Sequence, residues 1–332
     1  MMHRQDAPDN HDAAEERTAA AVRDLAGTVG EGLLEIDTVL SEVTTFHIGG
    51  PAAGLAHVRT SDDARRFLEF AGEREIDVLG LGGGSNLLVD DNGFCGLILR
   101  MEMTDVVFGP GTVRAGAGLP FDELIALSLA AGRPGLEFAS GIPGSLGGAV
   151  VGNAGCYGHE IGEFVLEATL LRPDGSVERV GPEDLGFRYR SSDLKGSDTL
   201  LLDVLIHAEA GNVTAAVAER HEHLTDRLRK HPVDEPCAGS YFQNLAPSSP
   251  GERRRAAGAL LDELGVRGWR EGDAAVYHKH ANIIVNLGRA TCLDVLTLAG
   301  RMKAAVVDKF GEELVEEVRH LPRHRTGRGF CG

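Results

Sequence analysis

The sequence predicts an α+β protein in which a glycine-rich body, extending to about residue 210, precedes a smaller α/β domain. Short segments of alternating apolar residues, typical of strands, occur between amphipathic helical segments in the first part of the chain. Glycine accounts for 44 of the 332 residues and is concentrated in a few loops. From about residue 211 the composition changes, and longer helical segments begin. A chain of this length accommodates two or three domains of ordinary size.

Composition and charge exclude several classes of protein. No apolar run approaches the roughly 20 residues of a membrane span, and the first ten residues contain no apolar segment of a secretory signal. The formal net charge of −17 argues against a nucleic-acid partner, because a phosphate backbone is bound by a basic surface. The cysteines show neither metal-ligand nor CxxC spacing, so we expect a protein of the reducing cytoplasm without structural zinc or disulfides. They are Cys95, Cys156, Cys237, Cys292 and Cys331.

The first half of the chain is predicted to combine two helices with several strands. Residues 1 to about 30 are polar and are expected to form a frayed extension, with an Ala/Glu/Arg-rich patch capable of helix formation. An amphipathic helix from Ser61 to Ala71 takes Ser61 as its N-cap. A second helix, Phe121 to Gly132, ends at a glycine C-cap. We predict a loop at 44–52 and strands at 76–81, 96–100 and between 105 and 118.

The second half is predicted to be richer in helix. A β-hairpin from Val165 to Val180 turns at Pro-Asp-Gly. Phe187 to Ser192 is an aromatic and basic loop, Thr199 to Ala208 is a strand, and the helix from Val213 to Lys230 is stopped by Pro232. A loop of small residues is expected at 237–244. It is followed in order by a helix at 254–264, a strand at 282–286, a helix at 293–310 and a strand at 314–321.

The strand at 76–81 leads directly into Gly82-Gly83-Gly84-Ser85-Asn86. This loop offers main-chain donors and two small polar side chains. It lacks the glycine spacing and the following helix of a Rossmann turn. We therefore expect a strand–loop–strand cradle for a ligand.

Residues 135–155 form the most glycine-rich stretch, and the rest of the chain is organised around it. Backbone N–H groups that face a concavity beside glycines bind anions, and phosphate or pyrophosphate is the expected ligand. A flexible linker is the alternative. Linkers are polar, however, whereas Phe138, Ile142, Leu146 and Val150 require burial.

Ser240, Tyr189 and Arg190 are candidates for chemistry, and each has an ordinary structural alternative. Most loop serines only form turns, and no nucleophile-elbow glycines surround Ser240. Tyr189 and Arg190 offer an aromatic ring and a bidentate fork for a carboxylate or phosphate, or simply a surface ion pair.

Alternation places Glu317 on the same face of a predicted strand as Val315 and Arg319. The glutamate is either a functional residue or an ordinary exposed residue of that face. His278 and His280, two residues apart, have weak spacing for metal binding, and we expect no metal site.

Taken in order, these segments resemble the UDP-N-acetylenolpyruvoylglucosamine reductase family. The resemblance extends over about residues 36 to 321. It rests on Gly82-Gly-Gly-Ser-Asn, Gly141-Ile-Pro-Gly-Ser-Leu-Gly-Gly, Asn153-Ala-Gly, Tyr189-Arg-Ser-Ser, Ala238-Gly-Ser-Tyr-Phe-Gln-Asn, Lys279-His-Ala-Asn-Ile-Ile-Val-Asn and Glu317-Val-Arg.

The resemblance implies an FAD-binding domain of the vanillyl-alcohol-oxidase (PCMH) type at 36–211, with lobes at about 36–100 and 101–211. A C-terminal α/β substrate-binding domain would follow at 212–322, with an N-terminal extension at 1–35 and a basic tail at 323–332. FAD would be bound non-covalently, with NADPH as the electron donor. The implied FAD-binding residues are Gly82, Gly83, Gly84, Ser85, Asn86, Gly141, Ile142, Pro143, Gly144, Ser145, Gly147, Gly148, Asn153 and Gly155.

The implied reaction reduces UDP-N-acetylglucosamine enolpyruvate to UDP-N-acetylmuramate in peptidoglycan precursor synthesis. Flavin N5 would pass hydride to the enolpyruvyl group, and the resulting enolate needs charge stabilisation and a proton. Arg190 would hold the substrate carboxylate, Glu317 would assist the polarisation, and Ser240 would deliver the proton. Implied substrate contacts are Tyr189, Lys230, Asn244 and His280. The protein would act in the cytoplasm on a small molecule, as a monomer or weak homo-oligomer.

Gln243, Leu245 and His278 depart from the family's usual residues, which affects contacts to UDP or the sugar. The short segment between Lys195 and His221 implies the subtype without an extra tyrosine-bearing loop. One alternative is another flavoprotein of the same fold, such as an alcohol or sugar oxidase. Another is a catalytically inactive protein that binds FAD or a nucleotide sugar.

Overall fold

The structure, a computed structural model, describes residues 10–249 and 251–324, and the predicted α+β fold is confirmed. In this part of the chain the helices are α1 (Asn10–Ala26), α2 (Ser61–Glu73), α3 (Phe121–Ala130), α4 (Leu146–Val151), α5 (Val213–Lys230), α6 (Ala257–Glu263) and α7 (Cys292–Phe310). The strands are β1 (Leu34–Ile36), β2 (Ala52–Val58), β3 (Asp77–Leu81), β4 (Leu87–Val89), β5 (Phe94–Met101), β6 (Val106–Gly109), β7 (Thr112–Gly116), β8 (Gly155–Cys156), β9 (His159–Glu160), β10 (Val165–Leu171), β11 (Val177–Val180), β12 (Leu200–His207), β13 (Cys237–Ser240), β14 (Arg270–Glu271), β15 (Ala274–Val276), β16 (Ile283–Asn286) and β17 (Arg319–Leu321).

The first lobe is a four-stranded mixed sheet in the order β1-β2-β5-β3. β2 and β3 run parallel to β5, whereas β1 is antiparallel to β2. Helices α1 and α2 cover one face of the sheet, where Phe67 and Leu97 are buried. The predicted cap of α2 was wrong by one residue. Thr60 is the N-cap, because its hydroxyl accepts from the N–H of Asp63 while the Asp63 carboxylate accepts from the N–H of Thr60.

The N-terminal region was expected to be frayed, and this expectation is wrong for residues 10–26. They form α1, whose Val22 is fully buried. A Cβ on Gly54 of β2 would lie 2.6 Å from Val22 Cγ1, so the glycine lets the helix approach the sheet. Residues 1–9 lie outside the described residues.

The two ends of the described part of the chain meet beside β5. Arg323 forms an ion pair with Glu15 of α1 and donates from Nε to its carboxylate at 2.7 Å, and His324 Nε2 lies 2.8 Å from the same carboxylate. The ligand atoms of Glu15, Cys95 and His324 lie within 4.8 Å of one another, which the sequence spacing did not indicate. Arg323 already neutralises this carboxylate. The rest of the predicted basic tail, 325–332, lies outside the described residues.

The second lobe is a five-stranded antiparallel sheet in the order β11-β10-β12-β7-β6. The predicted hairpin is confirmed as β10 and β11. Helices α3 and α4 bury Leu124, Leu146 and Val150 against this sheet. Gly132, with φ +78°, follows the end of α3 as predicted.

Helix α5 has the predicted bounds, and it packs against the second lobe. Arg220 forms an ion pair with Asp122 of α3, and the His223 Nδ1 lies 2.9 Å from the carbonyl oxygen of Glu137. The helix therefore borders the glycine-rich stretch.

The C-terminal domain is an antiparallel sheet, β13-β16-β15-β14, covered by α6 and α7. The segment 237–244, predicted as a loop, begins with strand β13 because Cys237 and Ser240 pair with β16 around an irregularity at Gly239 (φ +75°). Two predicted elements are shorter than expected. The helix predicted at 254–264 is α6, which begins at Ala257 because Arg255 pairs with Leu245 instead. The strand predicted at 314–321 is reduced to β17, which pairs in parallel with β4. Within the described residues, no helix is both long and apolar enough to cross a bilayer.

Candidate functional site

The first glycine loop, Gly82–Asn86, and the second, Gly141–Gly148, face each other between the lobes. The Ser85 hydroxyl donates to the carbonyl oxygen of Pro143 at 3.0 Å. A Cβ on Gly83 would lie 2.7 Å from the Cα of Gly144, and one on Gly82 would overlap the hydroxyl of Ser145. Backbones that approach this closely require glycine. The predicted strand–loop–strand cradle is present between β3 and β4.

The Gly82–Asn86 loop presents a run of main-chain donors. Within the described residues, no protein acceptor takes the N–H groups of these five positions. Thr44 lies beside the loop, and its buried hydroxyl also has no hydrogen-bond partner in the part of the chain that the structure describes. Unpaired donors and a buried hydroxyl at one place point to a polar ligand.

The glycine-rich stretch is held more rigidly than its composition suggests. It contains the short helix α4, which the sequence did not predict, and the Ser145 hydroxyl accepts from the N–H of Gly148 at 3.2 Å. The N–H groups of Leu146 and Gly147 donate to the carbonyls of Leu119 and Ala117 at 2.8 Å. These bonds fix the loop against the second lobe.

Asn153 and Gly155 have contacts within the protein. The Asn153 amide donates to Glu160 at 2.6 Å and to the carbonyl of Arg188 at 3.0 Å, and its oxygen accepts from the N–H of Gly162. Gly155 pairs with Glu160 in a two-stranded sheet. The Asn153 side chain thus supports the turn that carries Tyr189 and Arg190.

Arg190 occupies the tip of a tight turn between Arg188 and Ser191, whose main chains bond to each other. Its φ of +55° is a left-handed conformation that favours glycine or asparagine. The Arg190 Nε lies 3.2 Å from Glu317 Oε1, an ion pair between two side chains that are 25% and 21% exposed. The same Nε is buried and has no well-directed hydrogen bond in the described residues, because the angle to Glu317 is poor.

The structure brings Ser240 beside this ion pair. Ser240 ends β13, and the carbonyl of the next residue, Tyr241, accepts from the N–H of Glu317 at 2.8 Å. Asn86 of the first glycine loop donates its amide to the Glu317 carbonyl at 3.1 Å. The three predicted catalytic residues therefore come together from the second lobe, β13 and the chain before β17, next to the first glycine loop.

Burial shifts the pKa values of two ionisable groups at this site, Glu317 and Lys195. It raises the pKa of Glu317, and Arg190 and Lys195 oppose that shift. Burial also lowers the pKa of Lys195, and the charges of Arg319 and Arg190 add to the effect. Lys195 donates to the Arg190 carbonyl at 3.3 Å. Lys195 belongs to no motif in the sequence, and only its proximity to Arg190 along the chain could have suggested it.

Tyr189 and Asn244 are connected through Arg254. The Arg254 guanidinium lies 3.7 Å from the centre of the Tyr189 ring, and its Nε donates to the Asn244 carbonyl at 3.3 Å. The Asn244 amide oxygen also accepts from the N–H of Ala257 at the start of α6. Arg254 was not identified from the sequence.

Lys230 and His280 belong to a separate basic group. The rings of His231 and His280 lie 5.5 Å apart, and Lys230 bonds to Asp226 at 2.7 Å. Burial lowers the pKa of His280, with added repulsion from Arg267 and Lys230. The N–H of Asn282 donates to His280 Nδ1, which places the proton of the neutral ring on Nε2.

Two family models match the chain. The FAD binding domain matches residues 52–181, and the UDP-N-acetylenolpyruvoylglucosamine reductase C-terminal domain matches residues 231–321.

Individual relatives agree with this division. UDP-N-acetylenolpyruvoylglucosamine reductase 2 of Symbiobacterium thermophilum is 40% identical over 84% of this chain and 89% of its own length. The reductase of Pelobacter propionicus is 38% identical over 89% of this chain and 98% of its own. The crystal structure of the reductase from Thermus caldophilus is 32% identical, with a TM-score of 0.74 over 87% of this chain and all of that chain. The chain belongs to the UDP-N-acetylenolpyruvoylglucosamine reductase family.

As a member of the UDP-N-acetylenolpyruvoylglucosamine reductase family, the chain is an FAD-binding oxidoreductase of peptidoglycan synthesis. The expected cofactors, FAD and NADPH, are those of the family. The predicted pairing of a PCMH-type FAD domain with a family-specific C-terminal domain is also confirmed.

The residues of the reductase fit FAD on chemical grounds. The unpaired N–H groups of Gly82–Asn86 suit the anionic pyrophosphate. The buried Thr44 hydroxyl offers a further donor at the same loop. Beneath the glycines, a cavity of ≈ 30 Å³ is bounded by Met101, Val151 and Leu200, so the lobes are in close contact below the cradle.

Proposed function

We propose that the enzyme reduces UDP-N-acetylglucosamine enolpyruvate to UDP-N-acetylmuramate with electrons from NADPH, and that it does so in the cytoplasm as a monomer or weak homo-oligomer. In this assignment residues 36–211 bind FAD and residues 212–322 bind the UDP-sugar. The observation that carries the proposal is the meeting of Arg190, Glu317 and Ser240 beside a glycine cradle.

The chemistry that FAD supplies when bound is hydride transfer from N5 to the enolpyruvyl double bond, after reduction by NADPH. Its pyrophosphate is assigned to the loops Gly82–Asn86 and Gly141–Gly148. The close backbone contact of the loops supports this assignment. Asn153 and Gly155 are likewise assigned to FAD, and the Asn153 side chain also holds the turn that carries Arg190.

Arg190 binds the carboxylate of the substrate in this mechanism. Its planar guanidinium can form two parallel hydrogen bonds to a carboxylate. The guanidinium lies 5.6 Å from the centre of the Tyr189 ring, and its Nε has no well-directed hydrogen bond within the described residues, which leaves that capacity for the substrate. Charge that accumulates on the carboxylate after hydride addition is then stabilised in place.

Glu317 assists Arg190 in polarising the substrate. Burial raises the pKa of Glu317, and a carboxyl group that takes up a proton donates a hydrogen bond to an oxygen that gains negative charge.

Ser240 delivers the proton to the substrate carbon. A hydroxyl is a weak acid, but the enolate is a strong base. A neutral donor close to the carbon is therefore sufficient. Tyr189, Lys230, Asn244 and His280 are assigned to the UDP-sugar, and the contact of Arg254 with Tyr189 and Asn244 supports a shared surface for two of them.

The experiment that tests the function follows the flavin colour of the purified protein under anaerobic conditions. NADPH should bleach the flavin absorption band, and UDP-N-acetylglucosamine enolpyruvate should restore it with formation of UDP-N-acetylmuramate, identified by mass. Acid precipitation should release the flavin, because no residue is assigned to a covalent link. Reoxidation by oxygen alone, with hydrogen peroxide as product, would instead indicate an oxidase of the same fold.

A further inference from the structure

Asp122 of α3 contacts Gly141, the first residue of the second glycine loop (Gly141–Gly148). Its Oδ1 accepts from the N–H of Gly141 at 2.7 Å. This bond fixes the chain where the path to Ile142, Pro143 and Gly144 is set.

Arg220 of α5 binds the same carboxylate with both ends of its fork. Its two terminal nitrogens donate to Oδ1 and Oδ2 of Asp122, each at 2.7 Å, and one also donates to the Ser140 hydroxyl at 3.2 Å. The Arg220 side chain is 18% exposed and that of Asp122 40% exposed. A bidentate pair with a partly buried arginine has a defined geometry as well as a favourable charge interaction.

The loop has little freedom beside this pair. Gly141 has φ +72°, and a Cβ there would lie 2.9 Å from Leu224 and 3.0 Å from Arg227 on α5. Ser140 is buried and donates to the carbonyl of Glu137 at 2.7 Å. The beginning of the loop is therefore held between α3 and α5.

We propose that Asp122 and Arg220 are a positioning pair for FAD: Asp122 sets the path of the Gly141–Gly148 loop, and Arg220 both fixes and neutralises Asp122. This inference rests on the proposed function, in which the loop holds the FAD pyrophosphate. Without Arg220, an unpaired carboxylate would lie beside a loop that must accept an anion. Neither residue contacts the groups assigned to the reaction, so the pair governs cofactor affinity and not the chemical step.

The test measures FAD dissociation from the full-length holoenzyme by the fluorescence of released flavin on dilution. Arg220→Gln and Asp122→Ala should each raise the dissociation constant roughly 10-fold or more, as expected for a lost hydrogen bond to a charged group. Asp122→Asn keeps an acceptor for the N–H of Gly141 and should have a smaller effect. With FAD saturating, kcat should stay within about 3-fold of wild type.

Arg114→Gln is the matched control. Arg114 lies in the same lobe and forms ion pairs with Glu167 and Asp203 on the sheet, away from the glycine loop. It should leave the FAD dissociation constant within about 3-fold of wild type. Where Arg220→Gln fails to fold, Arg220→Lys keeps the charge but loses the fork, and it should still weaken FAD binding.

Unchanged FAD affinity in the Asp122 and Arg220 variants would overturn the inference, and so would an equal loss in Arg114→Gln. A fall in kcat with unchanged FAD affinity would overturn it as well. Gly144→Ala separates this inference from the loop assignment, since its Cβ would lie 2.5 Å from the Ser85 hydroxyl at φ +114°. If Gly144→Ala also leaves FAD affinity unchanged, the loop assignment fails. If Gly144→Ala alone weakens binding, only the positioning pair fails.

Discussion

Arg190 combines a strained backbone with a guanidinium whose Nε has no well-directed hydrogen bond within the described residues. A left-handed conformation costs a non-glycine residue about 1–2 kcal/mol. Here it is maintained by Lys195, which binds the Arg190 carbonyl, and by Asn153, which binds the carbonyl of Arg188. Such strain persists where the surroundings over-determine it, and it concentrates at functional sites.

Arg190→Lys should lower turnover by more than ~10-fold, a cost of at least about 1.4 kcal/mol, because lysine lacks the planar bidentate fork. Arg190→Gly should lose activity further but unfold in urea with a free energy no lower than that of Arg190→Lys, since glycine accepts the left-handed conformation. Near-normal turnover in Arg190→Lys would remove this residue from the site. A glycine variant less stable than the lysine variant would show that the backbone is not strained.

Glu317→Gln tests the buried carboxyl group through pH dependence. Because burial raises the folded-state pKa of Glu317 above its ordinary value of 4.5, its contribution to stability is present below that value and is lost as pH rises through the folded pKa. The free energy of unfolding of Glu317→Gln should therefore gain on that of wild type as pH rises from 4.5 towards neutrality. Urea titrations at several pH values check this. A constant difference would mean that Glu317 does not carry the raised pKa.

At the residue level, the sequence was informative where a motif was present. Ser240, Arg190 and Glu317 were proposed from the order of their segments; the structure pairs Arg190 with Glu317, and the residue after Ser240 bonds to the main chain of Glu317. Lys195 and Arg254 were missed because their contacts arise only when separate loops meet. The Thr60 cap was recognisable, since Asp63 stands three residues on and completes a capping box, whereas Ser61 has Ala64 in that place.

At the level of elements, the periodic segments were predicted best. Helix α5 has the expected bounds because Asn212 caps its first turn and Pro232 prevents continuation. Helix α4 and strand β13 were missed because glycine-rich sequences carry little periodicity. Both elements are held by partners remote in the sequence: Leu119 and Ala117 for α4, and strand β16 for β13.

The C-terminus of α5 supplies a prediction about acid stability. Burial, followed by repulsion from Arg227 and His280, lowers the pKa of His231 from 6.5 to about 4; Lys230 adds to this and Asp226 opposes it. Between those values the unfolded chain binds a proton that the folded chain does not, so the free energy of unfolding should fall as pH drops from 6.5 to 4.

His231→Gln should lose less stability than wild type over that window, because glutamine does not titrate. Urea unfolding at pH values across the window measures the difference. An equal fall in the free energy of unfolding of the two proteins would mean that His231 does not carry the lowered pKa.

At the scale of the whole molecule, α1 belongs to the core of the first lobe. Its polar composition predicted fraying, and Val22 and Leu25 are the only buried apolar residues among the α1 side chains that the structure describes. The missing information is tertiary: Gly54 provides the space that Val22 fills, and Arg323 at the other end of the chain pairs with Glu15.

Val22→Ala should reduce the free energy of unfolding by about 2 kcal/mol, through lost burial and the cavity left behind. Turnover should be unchanged, because α1 carries none of the residues assigned to the reaction. Val217→Ala, the same substitution at a half-exposed position of α5, is the control and should cost less than about 0.5 kcal/mol. Equal effects of the two substitutions would mean that α1 is not packed on the sheet.

Stopped-flow kinetics of Ser240→Ala, followed at the flavin absorption band, tests the central claim most directly. If Ser240 only delivers the carbon proton, FAD binding and flavin reduction by NADPH should be nearly unchanged. Reoxidation by UDP-N-acetylglucosamine enolpyruvate should slow by roughly 10²–10⁴-fold, the usual contribution of general acid catalysis. Ser240→Cys, which retains a proton, should recover part of that rate. If alanine instead slows flavin reduction as much as reoxidation, Ser240 is a packing or cofactor residue and the proposed mechanism has no acid.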